Sequence, residues 1–269
     1  LFVGLLCALV GTGQAAQNDV FVTSGLKVDV TAASTAEARD KALAMGERAA
    51  FRQLLERLTM RRDHFRLPAF SAAEIAAFVL DFEVAQEKAS AVRYLATLNY
   101  SFKADAVRRM LIDREIAFAE TTSKPVLVLP VYQAAGALLL WDDPNPWRHA
   151  WAERPEIFSL VPAILPGGDL SDIATIGPEQ AVSGDEQRLS AIAGRYDAGD
   201  TIVAHATMNM DRGRPDLEVY VTRYGTAQQE QTVVKSFTSG EQETLDMMLT
   251  RAAVELTRQI EDNWKRDNL

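Results

Sequence analysis

The spacing of apolar residues changes character along the chain, and each change predicts an element. Residues 1–16 form an uncharged apolar run that closes on small residues before Gln17-Asn18-Asp19. From Phe21 to Thr31, apolar and polar residues alternate imperfectly among β-branched types, which predicts a strand. Ser34-Thr35-Ala36-Glu37 has the spacing at which a serine hydroxyl and a glutamate carboxylate satisfy the orphan N–H groups of a helix start. In the helix that follows, Ala38, Ala42, Met45, Ala49, Phe51, Leu54, Leu55 and Leu58 recur at helical spacing, with charged residues mainly between them. The small residues of its first half imply close approach to another element. Gly46 costs ~1 kcal/mol against alanine in mid-helix, which fits backbone packed tightly on a sheet.

Ser71-Ala72-Ala73-Glu74 repeats the capping spacing and predicts a short helix to about Val79. Residues 81–87 and 91–102 read as strands on either side of a polar turn at 88–90, a hairpin, and residues 104–117 as a helix. After the polar link 120–124, the continuous apolar run 125–132 predicts a strand covered on both faces. A second apolar piece spans 137–141, and Pro144 and Pro146 favour a turn with a helix starting at Trp147. Residues 158–166 read as a strand and Gly167-Gly168-Asp169 as a turn. Ser183-Gly184-Asp185-Glu186 opens a helix through Leu189, Ile192 and Ala193 to Tyr196. Strands at 201–208, 217–224 and 231–237 precede a terminal helix from Glu241 to about Trp264, capped by Ser239. The pattern is α+β in two domains. The first, 17–119, runs strand, helix, helix, strand, strand; the second, 124–269, is a mixed sheet with flanking helices and a long C-terminal helix.

Composition adds a compartment. The apolar core of residues 1–10 has the length of a signal-peptide core and falls short of the ~20 residues of a membrane span. Residues 1–16 are therefore expected to be an export signal, and the mature chain to be soluble and periplasmic. Cys7, the single cysteine, lies inside that segment, so the mature chain is expected to lack disulfides, cysteine-ligated zinc and thiol catalysis. Net charge is −9, with no run of four basic residues, which argues against nucleic acid as a partner. No apolar stretch of ~18 residues follows Gln17, so no transmembrane segment is expected in the mature chain.

Candidate chemistry is sparse. His64, His149 and His205 are too far apart for a two-histidine helical zinc site, and no nucleophile elbow, phosphate loop or dinucleotide fingerprint is present. No metal site, cofactor or catalytic residue is expected. The dense constellation is 141–151, where Trp141, Asp142, Asp143, Asn145, Trp147, His149 and Trp151 crowd together. Tryptophan faces beside acceptor groups suit a sugar. Asp142, Asp143 and Asn145 offer oxygens to Ca²⁺, and an aspartate with His149 offers acid/base chemistry. Against calcium, Pro144 interrupts the loop, and the glycine and glutamate of an EF-hand do not follow. The competing reading is packing: Asp143 or Asn145 caps a helix whose Trp147 and Trp151, four apart, anchor it against a sheet.

The strand ending Val28-Asp29-Val30-Thr31-Ala32, followed by Ala36 to Phe51 and Leu54-Leu55-Glu56-Arg57-Leu58, resembles the domain of unknown function 2066 family, as does the segment from Leu140-Trp141 to Trp151. That resemblance implies an exported bacterial protein and supplies no catalytic residues. The element order of residues 20–103 is similar to polypeptide-transport-associated modules of the envelope, which implies a sheet edge able to accept a peptide strand. Residues 125–130 leading on to 198–203 look like the nucleotide-free α/β domains of periplasmic assembly proteins. The expectation is a non-enzymatic binding or assembly module whose partner is an envelope protein or peptide. The alternative is a hydrolase or glycan-binding protein using the loop 141–151.

Overall fold

A computed structural model describes residues 20–155, 158–211, 213–225 and 230–269. The expected signal segment, 1–16, and Cys7 lie outside the described residues. The chain forms two compact units. One holds the described residues through Thr122 together with Lys265–Leu269, and the other is Ser123–Trp264. Both mix helices with strands, the α+β class that the periodicities predict.

The first unit contains β1 (Val22–Thr31), α1 (Thr35–Leu58), a 3-10 turn (Arg61–Arg66), α2 (Ala72–Phe78), β2 (Val79–Ala89), β3 (Arg93–Phe102) and α3 (Ala104–Asp113). The sheet is antiparallel with order β1-β3-β2, so the expected hairpin forms and β1 pairs with the far side of β3. Ser34 caps α1, its hydroxyl accepting from Glu37 N at 3.2 Å, while the Glu37 carboxylate takes Ala33 N at 3.3 Å rather than the cap's own N–H. The Ser71–Glu74 box is complete. Ala38, Ala42, Gly46, Ala50 and Leu54 make one buried stripe on α1, which seats over β1 and β3. A Cβ at Gly46 would lie 2.5 Å from Leu98 Cδ1, so the glycine marks a close approach of helix to strand. Phe51, Phe70, Phe78 and Phe102 complete this core, the Phe51 and Phe78 rings stacked at 4.9 Å. The helix expected over 104–117 stops at Asp113. Glu115, at φ 53°, turns the chain so that Ile116 is buried and Phe118 bridges Thr59. At the chain's end the buried Lys265 Nζ donates to Glu56 O and Thr59 O.

The second unit contains β4 (Val126–Ala134), β5 (Ala137–Leu139), α4 (Pro146–Glu153), β6 (Ala163–Ile164), α5 (Leu170–Thr175), α6 (Pro178–Ser183), α7 (Glu186–Arg195), β7 (Asp200–Asp211), β8 (Arg214–Gly225), β9 (Glu230–Thr238) and, as far as Trp264, α8 (Leu245–Asn268). Its sheet runs β5-β4-β7-β8-β9, with β6 also on β4. The β4–β7 pair is parallel, and β7, β8 and β9 are antiparallel. Val126 to Tyr132 are all buried, as their unbroken apolar run requires. Leu127, Leu129, Val131 and Val203 pack on one face against Ala181, Leu189 and Ile192 of α6 and α7. On the other face α8 lies over the sheet, with Leu256 and Ile260 beside Ile202 and Val221 and with Lys235 Nζ 3.3 Å from Glu255 Oε1.

Three expected boundaries move. The strand at 158–166 shrinks to Ala163–Ile164. Ser183 ends α6, Gly184 turns the chain at φ 76°, and Asp185 caps α7 by accepting from Arg188 N at 3.1 Å. The terminal helix starts at Leu245 instead of Glu241, with Thr244 Oγ1 accepting from Met247 N at 3.3 Å. Residues 239–244 form its lead-in, where the Glu243 carboxylate accepts from Gly240 N at 3.0 Å and from Arg251 Nε and Nη2 at 2.8 and 2.9 Å.

The Arg251 hydrogen bonds, aided by Gly240 N, pull Glu243 from 4.5 down to about 2. Because the folded-state carboxyl is the stronger acid, its stabilisation is complete above about pH 4.5 and is lost as pH falls toward 2. Chemical denaturation across that window is expected to show a shallower acid loss for Glu243→Gln than for the parent chain; parallel curves would remove Glu243 from the account.

Candidate functional site

The tryptophan-rich loop follows β5, and its local sequence explains its shape. Asn145 caps α4: its Oδ1 accepts from Arg148 N at 3.0 Å and its Nδ2 donates to Leu140 O at 3.4 Å, so both ends of the amide are occupied. Pro146 takes the first helical turn, where a missing N–H costs nothing. Trp147 and Trp151 then lie one turn apart, buried at 0% and 1% exposure, with rings edge-on at 5.8 Å. Trp147 Nε1 donates to Ala204 O in β7 at 2.9 Å. The Arg154 guanidinium lies 5.2 Å from the Trp151 ring.

The other members of the constellation point to different surroundings. Trp141 is half-buried and donates from Nε1 to Ile176 O at 2.7 Å. Asp142 and Asp143 are exposed. His149 is exposed and lies 3.1 Å from Glu153 Oε2, one turn along the same helix. Trp147 and Trp151 thus meet each other, Trp147 also bonds the sheet, Asn145 serves the helix start, and His149 finds its carboxylate on its own helix.

Beside Trp141 sits a polar lock that sequence reading does not register. Asp172 is fully buried. Its Oδ2 accepts from Tyr196 OH at 2.6 Å and Gly168 N at 2.8 Å, and its Oδ1 from Arg195 Nε at 3.1 Å. Burial pushes this carboxyl up, yet the hydrogen bonds from Tyr196, Gly168 and Arg195 outweigh burial and hold it below its usual range. Arg148 Nη2 donates to Pro166 O and Gly167 O at 3.0 and 2.7 Å. Gly168 is at φ 77°, with Arg148 and Trp141 pressed on it. The signal for the lock was Gly167-Gly168 followed by the cap Asp169, but its partners lie 20 to 30 residues away.

Two further features have polar groups already engaged. His205 is half-buried in β7, its Nε2 2.9 Å from Gln133 Oε1, and burial lowers its pKa. A cleft of about 500 Å³ beside α7 is lined by Asp200 and Thr201. Asp200 holds Arg223 Nε at 2.8 Å, and Thr201 Oγ1 donates to Leu189 O at 3.1 Å. Among the described residues no group of three or more His, Cys, Asp or Glu side chains is placed to hold a metal ion, and no helix is long and apolar enough to cross a membrane.

The first unit presents a surface of another kind. β2 ends the sheet, and of its eleven residues only Val79 and Val84 are less than exposed. Leu80 is 66% and Phe82 48% exposed. The pleat is fixed by Phe102 N donating to Phe21 O and Lys103 N donating to Phe78 O, which turns odd-numbered residues of β3 toward β2. Asp81 and Glu83 therefore direct their main-chain groups at Ser101 and Asn99, and Phe82 and Val84 direct theirs outward. The Phe82 ring stacks on Tyr100 at 5.8 Å on the sheet face that carries α1. At the opposite edge, Val22 O at the start of β1 and the preceding Val20 O face outward and accept from Arg57 Nη1 at 2.7 and 2.8 Å. The open row at β2 is the candidate site.

Removing the buried indole N–H leaves Ala204 O without that donor, so Trp147→Phe is expected to lower the unfolding free energy by roughly 1–3 kcal/mol. His149→Ala, on an exposed helix face, is expected to change it by about 0.5 kcal/mol or less. Urea denaturation of both variants checks the pair, and equal losses would contradict the division of this loop into buried anchors and exposed face.

No family model matches the chain, and no curated protein matches it. Among solved structures, a formyltetrahydrofolate deformylase from Pseudomonas putida KT2440 aligns at 10% identity with a TM-score of 0.24, covering 88% of this chain and 90% of that one. A likeness at that level carries no argument about fold or activity.

Proposed function

We propose that this chain is a periplasmic binding or assembly module for another component of the cell envelope, with no reaction of its own, and that it belongs with the domain of unknown function 2066 family on the strength of residues 28–58 and 140–151. The observation that carries the binding reading is the open edge of β2, eleven residues long, with outward main-chain groups at Phe82 and Val84. Unpaired edges invite a further strand, and soluble proteins usually blunt them. At the opposite edge the Arg57 guanidinium takes the outer carbonyls at the start of β1, Val20 O and Val22 O, while the described residues place no further strand on β2, whose regular stretch Asp81–Val84 lies between two bulges. An extended segment added to β2 takes affinity from main-chain hydrogen bonds and selectivity from alternate side chains.

The buried state of Trp147 and Trp151 bears on the alternative. A glycan platform needs ring faces open to solvent, and these two rings are buried. Of the constellation, Trp141, Asp142, Asp143 and His149 remain accessible.

Crosslinked copurification from the native envelope tests the proposal. Because the Phe82 N–H faces away from β3, Phe82→Pro blocks the outer edge without removing a bond of the β2–β3 ladder. The parent chain is expected to recover one stoichiometric envelope protein and the folded proline variant to lose it. Recovery by the variant at parental yield would refute the edge as the binding surface.

A further inference from the structure

Resting on the edge-binding reading, we infer that the segment received by β2 is an extended peptide with apolar residues on its inner face and basic residues on its outer face. The outward Phe82 N–H donates to the carboxylate of its own neighbour, Asp81 Oδ1, at 2.8 Å. A guest strand needs that N–H for its own carbonyl. When the carbonyl enters, the exposed Asp81 carboxylate loses its donor and is left to water or to a cation on the guest. A lysine or arginine at the facing guest position supplies that cation, and an acidic residue there repels the carboxylate.

The neighbouring side chains extend the rule. Glu83 projects from the same face as Asp81, where its Oε2 accepts from Asn99 Nδ2 at 3.1 Å, and both acids are exposed. Phe82 and Val84 project to the opposite face, where Phe82 stacks on Tyr100 and stays half uncovered. A strand laid along Asp81–Val84 thus meets acid, ring, acid and valine in turn. Period-two alternation of basic and apolar residues matches this sequence of faces. Bulges at 79–81 and 84–86 bound the regular stretch, so the match is confined to Asp81–Val84.

Amide-resolved NMR titration of the ¹⁵N-labelled chain tests the inference with three short synthetic peptides. One alternates lysine and valine, one alternates glutamate and valine, and one has the lysines and valines of the first in two blocks. The alternating lysine peptide is expected to bind about tenfold or more tightly than either of the others, with shifts centred on the Phe82 and Val84 amides. The double variant Asp81→Asn with Glu83→Gln, which keeps hydrogen-bonding groups and removes charge, is expected to bring the lysine and glutamate peptides to within about threefold of each other. Equal binding of the peptides by the parent chain overturns the inference. So do shifts centred away from β2, or self-association through β2 that excludes peptide. Failure here, with a copurified partner still lost on Phe82→Pro, removes the basic-and-apolar rule and leaves the edge reading standing. Retention of the partner by Phe82→Pro removes both.

Discussion

The helix seated on the apolar face of the first unit's sheet is about 10 Å across, whereas three strands span roughly 14 Å. Where that helix sits therefore decides which strand goes uncovered. The stripe Ala38, Ala42, Gly46 and Ala50 lets α1 come down on β1 and β3, close enough that a methyl group at Gly46 would collide with Leu98. The cover is tight over two strands and missing over the third. Tyr100, under the helix, is 2% exposed, while Phe82, its stacked neighbour on β2, is 48% exposed. Small residues in one helix thus set both the packing of the core and the exposure of the edge.

The second unit meets the same demand differently. Its parallel strands β4 and β7 are central and must be covered on both sides, so helices lie on both faces. That requirement draws in residues that would otherwise suggest chemistry. Trp147 and Trp151 supply bulk, and the Trp147 N–H answers a carbonyl of β7. The Asp172, Arg195 and Tyr196 network fastens the loop around Gly168, and its carboxylate is matched by donors on each oxygen. Buried groups satisfied in this way stabilise a fold and have little capacity left for a ligand.

Much of the fold was legible because local chemistry and periodicity agreed. Ser34 and Ser71 announced their helices, the run from Val126 to Tyr132 announced a strand buried on both faces, and Asn145 with Pro146 announced α4. The helices α5 and α6, six residues each, went unread because fewer than two turns cannot show a helical period. Ser183 and Ser239 misled, since the capping spacing recurs wherever serine and glutamate fall near a helix start, and Asp185 and Thr244 did the capping. The constellation at 141–151 was visible as a cluster, but burial separates its members and is a tertiary property. The β2 edge was harder still. The hairpin could be read, whereas the pairing of β1 with β3, which leaves β2 outermost, depends on contacts more than 60 residues apart in sequence.

Residue-resolved amide hydrogen exchange of the isolated chain tests the central claim, that β2 is an edge whose outer main chain is open. Slow exchange is expected at Asp81 and Glu83, bonded into the sheet, exchange faster by orders of magnitude at Val84, and an intermediate rate at Phe82, whose outward N–H is held only by the exposed Asp81 carboxylate. Uniform protection of all four amides would mean that the outer row is already paired, and would contradict it.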